Sequence, residues 1–136
     1  MNSLILSIAI RVLFPVLIIA SVLSLFRGHN EPGGGFIGGL VAASAFVLLT
    51  FTLGVERTEK WMQAQPHTLI TIGLVMALVA ALLPMLFGLG FFEALWADLY
   101  LPLIGRPGTP VLFDVGVYLV VVGVVCKIVF SLAEDG

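Results

Sequence analysis

The chain has 136 residues, of which 60% are hydrophobic and 10% charged, with a formal net charge of −2. A mean hydropathy of +1.19, with less than half the ~25% charged content of an ordinary soluble domain, excludes a water-solvated globule and predicts an integral membrane protein. Six Lys and Arg residues scattered along the chain offer no basic face for phosphates, which excludes a nucleic-acid binder.

Four apolar stretches, at residues 4–26, 34–54, 68–91 and 110–132, are each near the ~20 helical residues needed to cross about 30 Å of hydrocarbon. They are continuous and do not alternate with period two, which favours helices over a barrel. The expected fold is an all-α integral membrane protein: one domain over residues 1–136 with four transmembrane helices and a short amphipathic interfacial helix before the last.

The first stretch is apolar ahead of Arg11 and interrupted by Pro15, so it is expected to be a retained span and not a cleaved signal. Arg11 lies seven residues inside it, roughly 10 Å deep at about 1.5 Å per residue. A charge at a helix centre costs about 2.5–3.5 kcal/mol. Arg11 therefore calls for an acidic partner on a neighbouring subunit or lipid, with snorkelling to the interface as the alternative.

The junction of the first two spans reads Arg27-Gly28-His29-Asn30-Glu31-Pro32-Gly33-Gly34-Gly35-Phe36-Ile37-Gly38-Gly39. Its GxGxxG match follows Glu-Pro, not a strand, and precedes an apolar span, so a dinucleotide site is rejected. Asn30 can cap the second span, and Pro32 suits a first helical turn because it needs no donor there. Glu31 falls where the positive end of that helix stabilises a carboxylate. His29 can titrate near neutral pH and shuttle protons, or serve as a hydrogen-bonded structural residue. On the bland reading the whole junction is a tight helix entry with Glu31 solvated at the surface.

Small residues recur at four-residue spacing: Gly34, Gly38 and Ala42, with Gly35, Gly39 and Ala43 beside them, and Gly73, Ala77 and Ala81 on the third span. Such stripes let helix backbones approach closely. Residues 55–67 form a polar connection, and His67 after Pro66 resembles an interfacial cap. In the 92–109 connection, Phe92, Leu95, Trp96, Leu99, Tyr100 and Leu103 recur at helical spacing, predicting an amphipathic helix along the bilayer surface. An ordered loop packed on other subunits is the alternative there.

The last span carries Asp114 near its start, Lys127 near its end and Cys126 between them. The lone cysteine makes no intrachain disulfide or thiolate metal site and is expected to pack as a small hydrophobe. An up-down order puts Asp114 beside the His29–Glu31 junction, and Arg11 and Lys127 towards the termini. Lys127 is expected to snorkel or, like Arg11, to meet an acid on another subunit. Arg11, Arg57, Lys60 and Lys127 on the terminal side, against Arg27 and Arg106 opposite, favour cytoplasmic termini. No metal set and no hydrolytic triad shares a common depth, so neither a metal site nor an enzyme is expected.

The run from His29 to Gly39, between two apolar spans of so short a chain, resembles the B subunit of Mrp-type multisubunit Na⁺/H⁺ antiporters, the MnhB family. The resemblance implies a plasma-membrane (inner-membrane) subunit of a hetero-oligomeric complex. Its partners would be other subunits, including large antiporter-like subunits related to those of respiratory complex I, and the lipid bilayer. No cofactor is implied beyond the transported Na⁺ and H⁺. Related subunits also occur in membrane-bound hydrogenase-type complexes. Candidates for an ion or proton route are then His29, Glu31, Asp114, Arg11 and Lys127. Asn30, Pro32, Gly33, Gly34, Gly35, Phe36, Gly38 and Gly39 would form and pack the helix junction. A purely structural scaffold subunit and a self-assembling homo-oligomeric transporter remain the other readings.

Overall fold

The computed structural model describes residues 3–27, 34–86 and 109–135. These form α1 (Ser3–Arg27), α2 (Gly34–Leu53), α3 (Val55–Met62), α4 (Pro66–Leu86) and α5 (Thr109–Asp135), with no strand among the described residues. Four of the helices are long and apolar enough to cross a membrane. α4 begins two residues before the expected third span, because proline suits a first helical position. The Gln65 carbonyl accepts from the N–H groups of Thr68 (3.0 Å) and Leu69 (3.3 Å), so the backbone, and not a His67 cap, starts this helix. The amphipathic helix expected within 92–109 lies outside the described residues.

The polar connection expected at 55–67 is instead largely helical. Val55, Thr58 and Met62 share one face of α3: Thr58 is fully buried, and Val55 and Met62 pack against the core, while Glu56, Arg57 and Lys60 are exposed. Gly54 turns the chain out of α2 with φ 91°, a conformation that favours glycine. Gln63 ends α3 in the left-handed region (φ 59°) and donates its N–H to the Glu59 carbonyl at 3.0 Å. Two buried hydroxyls hold the bend: Thr58 Oγ1 donates to the Gly54 carbonyl at 2.8 Å and lies 3.3 Å from Thr50 Oγ1.

The spans form a row. α1 packs on α2, α2 on α5 and α5 on α4, so the last helix in sequence lies between the second and the third. The row is open at its sides: the first and third spans are 11% and 17% buried, against 39% and 28% for the second and last. A small core of Ala42, Val122, Cys126 and Phe130 lies at the α2–α5 contact, with the free Cys126 thiol fully buried.

Lipid tails are as apolar as leucine, so these helices associate through close packing and not through a hydrophobic force. One glycine from each small-residue stripe of α2 faces a different neighbour. A Cβ at Gly38 would meet the Ser21 carbonyl of α1 at 2.8 Å, and one at Gly39 would meet Val121 Cβ of α5 at the same distance. α4 and α5 cross at two facing glycines, where a Cβ on Gly73 would lie 2.5 Å from the Gly116 carbonyl oxygen and one on Gly116 would lie 2.6 Å from that of Gly73.

Candidate functional site

The first N–H groups of any α-helix have no acceptor within that helix. In α2 one of them, at Gly35, donates to Asp114 Oδ1 of α5 at 2.8 Å. The carboxylate faces the positive end of α2, the favourable place for an anion. A side chain on Gly35 would collide with Asp114, whose Oδ1 would lie 2.5 Å from the added Cβ. The glycine is therefore what admits the acid. Asp114 was expected beside the His29–Glu31 junction; among the described residues it meets Gly35, at the start of α2. His29, Asn30, Glu31, Pro32 and Gly33 lie outside the described residues. Gly34, Gly38 and Gly39 are buried, whereas Phe36 is exposed on the outer face of α2.

Tyr118 lies one helical turn after Asp114. Its hydroxyl is 2.8 Å from Ser21 Oγ of α1, and Ser21 Oγ donates its single proton to the Ile18 carbonyl at 2.7 Å. The Tyr118 O–H is consequently the donor to Ser21. This bond joins helices on opposite sides of α2, and Gly38 lets α1 come close enough to make it: a Cβ there would lie 2.8 Å from the Ser21 carbonyl oxygen. No reading of the sequence singled out Ser21 or Tyr118. The usable signal was the pair of glycines beneath them.

Two clefts lie beside α3, one bordered by α1 and the other by α4 and α5. One, of about 190 Å³, is lined by Glu59, Gln65, His67, Lys127 and Ser131 among others. An acid on another subunit was one expectation for Lys127. Among the described residues, Glu59 of the same chain lines the cleft with Lys127. The other cleft, of about 240 Å³, holds Arg11 and Arg57 with Ser7, Ile10, Leu53 and Trp61. Arg11 and Lys127, assigned to one layer by sequence, thus occupy separate clefts. Among the described residues no group of three His, Cys, Asp or Glu side chains could hold a metal ion.

Residues 5–127 match a family model described as a domain related to the MnhB subunit of Na⁺/H⁺ antiporter. The chain is 37% identical over 110 residues to a Staphylococcus aureus (strain Newman) protein named antiporter subunit mnhB2, covering 79% of this chain and 78% of that one. The protein of the same name from strain COL matches with the same figures. The fold superposes on a chain in the structure of the Mrp complex from Dietzia sp. DQ12-45-1b with a TM-score of 0.82 and 28% identity. That match covers 97% of this chain and 14% of the solved one.

Proposed function

The chain belongs to the family of domains related to the MnhB subunit of Na⁺/H⁺ antiporters, and from that premise we propose that it is a small membrane subunit of a multisubunit cation/proton antiporter. It lines or braces the ion route at a boundary with other subunits and carries no cofactor of its own. The observation that carries this reading is the open row. Its end helices, α1 and α4, leave long apolar faces such as Ile5, Ile8, Val12, Leu74 and Leu78 exposed, and such faces are available to partner helices as well as to lipid. The partners, on this reading, include large antiporter-like subunits of the same complex, and the membrane is the plasma membrane with cytoplasmic termini. The cations of the α3 end, Arg11, Arg57, Lys60 and Lys127, support that orientation.

On this reading ions pass near the start of α2, where Asp114 accepts from the Gly35 N–H and which His29 and Glu31 precede in sequence. Na⁺-dependent proton flux in inverted vesicles holding the whole complex tests this, comparing wild type with Glu31→Gln and checking assembly by native gel. Lost flux in an assembled complex is the expected result, and full flux would leave the chain as a brace. One observation favours bracing: an Asp114 oxygen is committed to the Gly35 N–H, and Tyr118 and Ser21 are committed to one another.

A further inference from the structure

Two guanidinium groups share the cleft between α1 and α3. Arg11 comes from an apolar span and Arg57 from the polar face of α3, and both are exposed. Ser7 precedes Arg11 by one helical turn and Trp61 follows Arg57 by one, so each helix directs two polar donors into the same space. No carboxylate lines this cleft among the described residues. Two cations lining one cleft leave it strongly positive, and an arginine on a lipid-facing span is costly unless something anionic meets it.

The cleft also has a defined depth. Trp61 packs edge-on against Phe14 of α1, with ring centroids 5.1 Å apart, and Phe14 packs in the same way on Phe46 of α2 at 5.2 Å. Tryptophan favours the headgroup level of a bilayer. Below the cleft, Val12, Leu13 and Val16 are exposed on α1, an apolar flank suited to acyl chains.

We propose that this cleft binds the phosphodiester of an anionic phospholipid, held by Arg11 and Arg57 with the Ser7 hydroxyl and the Trp61 indole N–H as further donors. The planar fork of arginine matches phosphate oxygens two at a time, and basic pockets between membrane helices recognise acidic headgroups. Free phosphate shares the headgroup chemistry but gains nothing from the α1 flank. A partner subunit's carboxylate would answer the charge but exclude lipid.

The test uses the whole complex in phosphatidylcholine nanodiscs, doped with photoreactive phosphatidylglycerol or with photoreactive phosphatidylcholine. Labelled sites are mapped by peptide mass spectrometry. Labelling of the peptides bearing Arg11 and Arg57 by the anionic lipid should exceed that by the zwitterionic one by about 25-fold, about fivefold for each arginine. Arg11→Gln and Arg57→Gln should each remove about fivefold, and Arg11→Lys, which keeps the charge but not the planar fork, should fall between Arg11→Gln and wild type. Excess inorganic phosphate should leave it unchanged. Equal labelling by the two lipids, no labelling of the wild-type complex, or loss of labelling to inorganic phosphate would each overturn the proposal. These arms use unaltered protein, so a glutamine variant that fails to assemble does not remove the test.

Discussion

Alanine at Gly73 tests the packing logic of the row at its tightest point. The added Cβ would lie 2.5 Å from the Gly116 carbonyl oxygen, 2.8 Å from Val120 Cγ2 and 2.9 Å from the Val120 backbone nitrogen. Ordinary contact begins near 3.4 Å, so α4 and α5 must part by about 0.9 Å, the difference between 3.4 and 2.5. A gap of 0.5–1 Å forfeits about a quarter to a half of each dispersion contact, and overpacking typically costs ~1–3 kcal/mol. The better helix propensity of alanine returns at most about 1 kcal/mol. A 2.5 Å approach to a backbone oxygen puts this site in the upper half of the overpacking range, about 2–3 kcal/mol. The net expectation is therefore a loss of about 1–2 kcal/mol, or roughly 5- to 30-fold in the equilibrium between docked and undocked helices. Reversible unfolding of the purified complex in an SDS titration, followed by native gel, measures it. Two of the three close atoms are backbone, so adding Val120→Ala should not restore stability. A Gly73→Ala complex as stable as wild type, or full rescue by Val120→Ala, would refute the view that backbone approach sets this crossing.

Two further predictions concern the polar links. Asp114→Ala removes an acceptor from the start of α2 and should cost about 0.5–2 kcal/mol, whereas Asp114→Asn keeps an oxygen for the Gly35 N–H and should assemble close to normally. Thermal midpoints of the assembled complex separate the two, and lost ion flux in a well-assembled Asn variant would show that the charge serves more than the cap. Ser21→Ala and Tyr118→Phe should be non-additive. A double-mutant cycle should return a coupling of about 0.6 kcal/mol, and strict additivity would mean that the bond across Gly38 contributes nothing.

The spans were legible because each is a continuous apolar run bounded by charge, proline or glycine, and that pattern needs no knowledge of neighbours. Their order in the row was not. The stripes at Gly38, Gly39 and Gly73 announce close packing but do not name a partner, and the complementary glycines of α5, Gly116 and Gly123, are seven residues apart, outside the four-residue spacing that drew attention elsewhere. α3 escaped notice because Thr58 occupies an inward position where a hydrophobe is expected, its hydroxyl satisfied by the Gly54 carbonyl. At the site, Asp114 could be assigned to the correct end of the bundle from depth alone. Its bond to Gly35 spans 79 residues of sequence, and no local signal encodes it. That Arg11 and Arg57 line one cleft likewise depends on the backbone turn at Gly54, and charge counting treats those two residues as independent.

Synthesis runs from the N-terminus, and the row does not follow that order. α1 and α2 are consecutive and can dock as soon as both are inserted. α4 has its neighbour in α5, whose last residue follows α4 by about 50 positions. At ~5–20 residues per second, the Gly73–Ala77 face of α4 waits roughly 3–10 seconds for the helix that fills it. During that interval lipid, the insertion machinery or a helix of another subunit borders the glycine face of the third span. A nascent chain that stops before residue 109 would never acquire its docking surface, which makes the unsheltered third span a natural mark by which membrane quality control could recognise unfinished copies.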